Sequence, residues 1–140
     1  MIVTATGSVG IGTMSPGQKL EVSGNVLATS YMTSSDKNLK ENILPLPDAL
    51  AKVLSIRGYS FNWKKDGRED VGIIAQDVEA VYPEIVHTDP NTWLKSVEYG
   101  NLIAPMIEAM REQQKMIEKQ QSEINELKSA LKEIKSSLAQ

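Results

Sequence analysis

The chain has 140 residues, with 15 basic and 18 acidic side chains, a formal charge of −3 and 41% hydrophobic residues. That is the length and composition of one ordinary globular domain, though one phenylalanine, four tyrosines and two tryptophans are too few for a large single-chain core. Cysteine is absent, which excludes disulfides, thiolate zinc sites and cysteine nucleophiles; the lack of a basic block argues against nucleic acid.

Composition divides the chain into residues 1–34, 35–100 and 101–140. The first zone is rich in Gly, Ser, Thr and Val, with almost no charge beyond Lys19 and Glu21. Val9 and Ile11 alternate with Gly10 and Gly12, Leu20 and Val22 with Glu21 and Ser23, and Val26 and Ala28 with Leu27 and Thr29. Period two predicts short strands, with turns at Ser15-Pro16-Gly17 and Ser23-Gly24-Asn25. Strands so poor in large side chains cannot close a core alone, and their open edges invite pairing with another chain. This zone reads as a strand-rich stem.

The middle zone reads as a small α+β unit. Pro47-Asp48 starts a short helix through Leu50, Val53 and Leu54 that ends before Gly58. Tyr59, Phe61 and Trp63 mark a strand with an aromatic face, Lys64–Gly67 a turn, and Val71–Ala75 the returning strand of a hairpin. Gln76–Val81 forms a short helix stopped by Pro83. Asp89-Pro90-Asn91 is a turn before a strand around Thr92–Val97. Trp93 is expected to fill a small core, tryptophan's usual place.

In the last zone, Ile103, Met110, Ile117, Ile124, Leu131 and Leu138 occupy heptad positions a. Met106, Gln113, Gln120, Leu127 and Ile134 occupy d. A sustained 3.5-residue repeat predicts a parallel coiled coil about 58 Å long at ~1.5 Å per residue. Leu131 with Ile134 favours three or more strands, Ile124 with Leu127 two, and Glu123 at g can meet Lys128 at e of a neighbour. Pro105 belongs in the first turn, so the regular helix begins near Leu102. The alternative is one amphipathic helix lying on the middle zone.

No metal or cofactor is expected. His87 is the lone histidine and reads as a loop or edge-strand residue, since Glu84 and Asp89 do not complete a ligand set. Gly7–Gly12 is glycine-rich, but no helix follows to make a phosphate loop. Asp77/Glu79 and Glu123/Glu126 read as solvated helix faces. No apolar run approaches the ~18 residues of a membrane span.

The segment Ser34-Ser35-Asp36-Lys37-Asn38-Leu39-Lys40-Glu41-Asn42-Ile43 admits two readings. Ser35 can cap a helical turn with Asp36 at its positive end. Alternatively, Ser35 is a nucleophile and Lys40 its general base. On a regular α-helix the two side chains would stand roughly 140° apart. The dyad therefore requires Ser35 in extended or turn backbone, or a lysine from a neighbouring chain.

Ser35-Asp36-Lys37-Asn38-Leu39-Lys40-Glu41-Asn42-Ile43 resembles the opening signature of the C-terminal intramolecular chaperone, or auto-processing, domain of phage tailspikes, tail fibres and endosialidases. A similar domain occurs in the myelin regulatory factor family. The likeness continues through Gly58-Tyr59-Ser60-Phe61-Asn62-Trp63, Gly72–Glu79, Pro83-Glu84-Ile85-Val86 and Ser96–Ile103, and so covers roughly residues 35–140. Residues 1–34 look like the fibre stem that precedes such domains. Pro105 departs from the apolar residue expected at its position.

The resemblance implies an obligate homotrimer of α+β class: the end of a β-rich stem (1–34), a chaperone unit (35–100) and a parallel coiled-coil helix (101–140). It implies that the unit directs folding of the stem, its client, and then releases itself by a single self-cleavage. Ser35 matches the family's nucleophile, Lys40 its lysine, and Ser34–Ser35 the bond cut. The mature stem would belong to a virion tail fibre and the chaperone would be released in the host bacterial cytoplasm, with neither nucleic acid nor membrane insertion involved. The rival readings are a trimerisation module that never cuts and a receptor-binding tip using Trp63 or Trp93.

Overall fold

The computed structural model describes residues 1–90 and 92–139. Asn91, in the expected turn, and Gln140, at the end of the expected tail, lie outside them. The chain forms two compact units, residues 1–44 with 88–94, and residues 45–87 with the chain from Lys95 onward.

The first unit carries β1 (Ile2–Val3), β2 (Val9–Ile11) and β3 (Leu20–Val22). β1 pairs antiparallel with β2, and β3 pairs parallel, aligning Gly10 with Glu21. The alternation at 9–12 and 20–23 thus becomes strand, while β1 is too short to show a period. Gly10 is obligatory here, because a Cβ would lie 2.5 Å from the Thr13 carbonyl oxygen. The strand expected over 26–29 is not formed: this stretch is irregular and Leu27 is 101% exposed. Alternation specifies a face, but a strand also needs a neighbour for its backbone groups, and among the described residues none pairs with this stretch.

The second unit begins with α1 (Ala49–Ser55), followed by the antiparallel hairpin β4 (Gly58–Asn62) and β5 (Glu69–Ile73). Trp63 and Arg68 close its turn through Trp63 N–H to Arg68 O (2.9 Å), and Gly67 takes φ 73°. The returning strand lies two residues earlier than expected, since that turn spans Trp63–Arg68. Then come α2 (Ala75–Glu79), a 3-10 turn at Pro83–Ile85, and the paired strands β6 (Val86–Thr88) and β7 (Lys95–Val97). Val78, Tyr82 and Ile85 form the buried cluster, flanked by half-buried Ile56, Ile73, Val81, Val86, Val97 and Leu102. With Ala49 and Ala109 these are the buried hydrophobic residues among those described, a core as small as the aromatic supply implied.

A 3-10 turn at Tyr99–Leu102 leads into α3 (Ile103–Leu138), 36 residues and about 54 Å long. Pro105 is buried in its first turn, where the missing N–H would have had no intrahelical partner. α1 packs against α3, and between them runs an apolar groove of about 370 Å³, lined by Leu50, Val53 and Leu54 opposite Met106, Met110 and Ile117. Beyond the groove the heptad stripe is bare: Ile124, Leu127, Leu131 and Ile134 are all exposed. Among the described residues no helix is long and apolar enough to cross a membrane.

Candidate functional site

Ser34 and Ser35 lie in irregular, exposed backbone ahead of a single 3-10 turn, Lys37–Leu39. Asp36 (φ −63°, ψ 138°) and Lys40 (φ −130°, ψ 146°) are both extended and bracket that turn. Leu39 N–H donates to Asp36 O and Lys40 N–H to Lys37 O, each at 3.1 Å. This fold-back returns the lysine side chain to the start of the segment, where Lys40 Nζ donates to Ser35 Oγ at 2.7 Å. Ser35 thus lies outside any helix, and the lysine that meets it comes from the same chain.

The capping expectation is corrected. Asp36, not Ser35, caps the turn, its Oδ1 accepting from Asn38 N–H at 2.7 Å. Asp36 is the extended residue directly before the turn, which is where a cap must sit, while the Ser35 hydroxyl is engaged by Lys40. Asp36 is thus the site residue that sequence reasoning gave the wrong part, although an aspartate ahead of a polar turn is itself a capping signal.

Aromatic residues are held on the second unit's hairpin. Trp63 Nε1–H donates to Asp70 Oδ2 at 2.9 Å, Arg68 lies 5.8 Å over the indole, and Phe61 meets it edge-on at 5.4 Å. The indole bond, followed by the Val71 N–H, holds the Asp70 carboxyl below its ordinary value of 3.8. A cavity of about 550 Å³ beside this strand is lined by Trp63, Asp70, Ile73, Lys95, Ser96 and Tyr99. Trp93 fills no core: it is 77% exposed at φ 59°. His87 lies in β6, its Nε2 2.6 Å from Glu98 Oε1, and the Asn101 amide bonds the other oxygen of Glu98. Asp77 and Glu79 are partly exposed, and each also accepts a side-chain bond, from Tyr59 OH (2.8 Å) and Lys95 Nζ (2.7 Å). Among the described residues no cluster of three or more acidic or histidine side chains is placed to hold a metal.

Residues 35–87 match a family of self-cleaving peptidase domains described as the chaperone of endosialidase. An uncharacterised protein of Dictyostelium discoideum is 29% identical over 108 residues, covering 69% of this chain and 10% of the relative. The chain thus spans about a tenth of that protein's length. The match opens on the residue that Lys40 contacts and takes in the motifs read at 58–63, 72–79 and 83–86, while the one at 96–103 lies beyond it. From Ser35 to His87 the chain is therefore similar to the endosialidase-chaperone family, a match that supports the C-terminal chaperone domain of phage fibre proteins.

Proposed function

We propose that the chain assembles as a homotrimer, directs folding of the stem that precedes Ser35, and then cuts itself at Ser34–Ser35. The observation that carries this reading is the 2.7 Å contact between Lys40 Nζ and Ser35 Oγ. With Lys40 as a neutral amine, Nζ takes the hydroxyl proton while Oγ attacks the Ser34 carbonyl carbon. The tetrahedral adduct collapses as the Ser35 amide nitrogen leaves, taking the proton back from Nζ. This N-to-O shift leaves the Ser34 acyl group as an ester on Ser35 Oγ. Water hydrolyses the ester to a Ser34 carboxylate and a chaperone that begins with a free Ser35 amine.

Proton uptake by Lys40 requires the uncharged amine, which withdrawal from water favours. Ser35 and Lys40 are both exposed in the single chain. Covering the pair by neighbouring copies therefore makes cutting wait for assembly. The stripe on α3 and the groove beside α1 supply a continuous apolar seam for a second copy. In the mature particle the stem remains in the tail fibre, and the chaperone is lost in the host bacterial cytoplasm. Release of the template leaves the stem protected by its unfolding rate.

The test is mass analysis of purified protein under denaturing conditions. The unaltered chain should yield two pieces divided at Ser34–Ser35, and Ser35→Ala and Lys40→Ala should each remain whole yet still assemble. Cutting at that bond by both variants overturns the dyad. An assembled parent that stays whole favours a trimerisation module without cleavage. The exposure of Trp93 favours the receptor-tip reading, which Trp93→Ala with unchanged host binding would remove.

A further inference from the structure

We propose that Asp36 is the positioning residue of the Ser35–Lys40 pair: its carboxylate holds the turn that brings the lysine to the serine. The proposal rests on the self-cleavage reading for its activity arm, but its geometry stands apart from that reading. Five residues of extended chain span roughly 16–18 Å, beyond the combined reach of a lysine and a serine side chain. Five residues of α-helix point the two side chains apart. Only a tight turn between extended flanks joins them, and this chain places one at Lys37–Leu39.

That turn has little else to hold it. None of its residues is buried, so no packing fixes its shape. Its two backbone bonds, at 3.1 Å each, are the minimum that defines a three-residue 3-10 turn. The shortest of its bonds is the one from Asn38 N–H to Asp36 Oδ1, at 2.7 Å. A 3-10 turn leaves its first N–H groups unpaired, and a carboxylate at the cap satisfies one of them while favouring the positive end. Among the described residues Asp36 makes no ion pair with Lys40, so its influence reaches the lysine through the backbone. Asp36 touches neither the Ser34 carbonyl nor the leaving nitrogen by any bond found, and it is not a catalytic residue in this scheme.

Capping and charge make different demands on a substitute. Asparagine and serine keep a side-chain oxygen for the Asn38 N–H without the charge, whereas alanine removes both. If Asp36 positions by capping, Asp36→Asn and Asp36→Ser cut within about threefold of the parent rate. Asp36→Ala then slows by roughly two- to thirty-fold, the range of a lost cap. If the carboxylate acts by its charge, Asp36→Asn falls as far as Asp36→Ala.

The experiment follows appearance of the Ser35-started fragment during assembly of the full chain, with Ser35→Ala as the uncut control. The unfolding midpoint is measured alongside, and it should stay put in Asp36→Ala because the turn buries nothing. In parallel, nuclear Overhauser contacts between the Lys40 εCH2 and Ser35 βCH2 protons are recorded in parent, Asp36→Asn and Asp36→Ala. Contacts kept in Asp36→Asn and lost in Asp36→Ala are expected, and contacts persisting undiminished in Asp36→Ala overturn the proposal. A parent that never cuts overturns the self-cleavage reading alone, since the proton contacts still decide what Asp36 does. Equal loss of rate in the Asn and Ala variants overturns positioning by the cap.

Discussion

The carboxylate of Glu112 on α3 grips the first turn of α1 through Ala49. Its Oε1 accepts from Ala49 N–H at 3.0 Å, and its Oε2 accepts from Leu50 N–H at 2.9 Å. α1 needs this, because Asp48 adopts the left-handed region (φ 54°) and makes no side-chain cap of its own. A side chain 63 residues away therefore does what a local cap normally does, and it fastens the helix pair that lines the apolar groove. Glu112→Ala should destabilise the second unit by about 1–2 kcal/mol, the worth of a cap with charge-assisted bonds. Glu112→Gln should recover part of it, since one oxygen can still accept. Denaturant unfolding at fixed protein concentration measures both.

The hairpin carries an acid-sensitive clasp. Asp70 holds its carboxyl below 3.8 because the Trp63 indole and then the Val71 N–H favour its charged form. A depressed folded value means the stabilising contribution is present above 3.8 and is lost as pH falls through the lowered value. Trp63 fluorescence should therefore change in strong acid, below about pH 4. Asp70→Asn should flatten that transition while leaving the neutral-pH fold intact. A transition of unchanged midpoint in Asp70→Asn would assign the acid response to another group.

How much of this was legible depends on how local each signal is. The aromatic alternation at Tyr59, Phe61 and Trp63 announced β4, and the heptads announced α3, because in both cases the pattern is carried by the element itself. The likeness opening at Ser35 is local in the same way, and it points to the segment where Lys40 Nζ meets Ser35 Oγ. Legibility ended where a partner decides the outcome. Residues 26–29 alternate yet form no strand, since among the described residues no neighbour pairs with their backbone. Trp93 is of a residue type usual in cores, yet it stands exposed. Glu112 falls at a c position, off the seam, and nothing in the spacing announces that it caps a helix 63 residues earlier. Asp36 looked like an accessory to a serine cap, because which of two adjacent capping residues is used depends on where Lys40 goes.

Tyr82 is 3% exposed, and its hydroxyl is buried without a hydrogen-bond partner among the described residues. Burial, followed by the charges of Glu84 and Glu112, pushes the phenol above its ordinary value of 10.0. A raised value keeps the stabilising contribution whole below pH 10.0, and stability falls as pH rises beyond it, where the unfolded chain ionises first. Tyr82→Phe removes a costly unpaired group without changing the ring that Lys52 covers at 5.5 Å. The variant should be as stable as the parent or more stable by about 1 kcal/mol, and it should lose part of the alkaline decline. A loss above 1 kcal/mol at neutral pH would mean that the hydroxyl has a partner in the assembled protein.

Beyond the groove on α3, nothing among the described residues covers Leu131 (52% exposed) or Ile134 (55% exposed). A helix of this length is marginal in water unless its apolar stripe is covered. In a trimer those two positions make two layers of three side chains, each worth about 1.5–3 kcal/mol when buried. Replacing both with aspartate places six like charges along one axis, a cost that no rotamer escapes. Leu131→Asp/Ile134→Asp should therefore shift light scattering from trimer to monomer at micromolar concentration and lower helix content by circular dichroism. The hairpin and the Val78–Tyr82–Ile85 cluster, against which neither Leu131 nor Ile134 packs among the described residues, should keep their fluorescence and amide spectra. A parent that scatters as a monomer at every concentration, with α3 fully helical, would remove the seam and with it the mechanism that makes cutting wait for assembly.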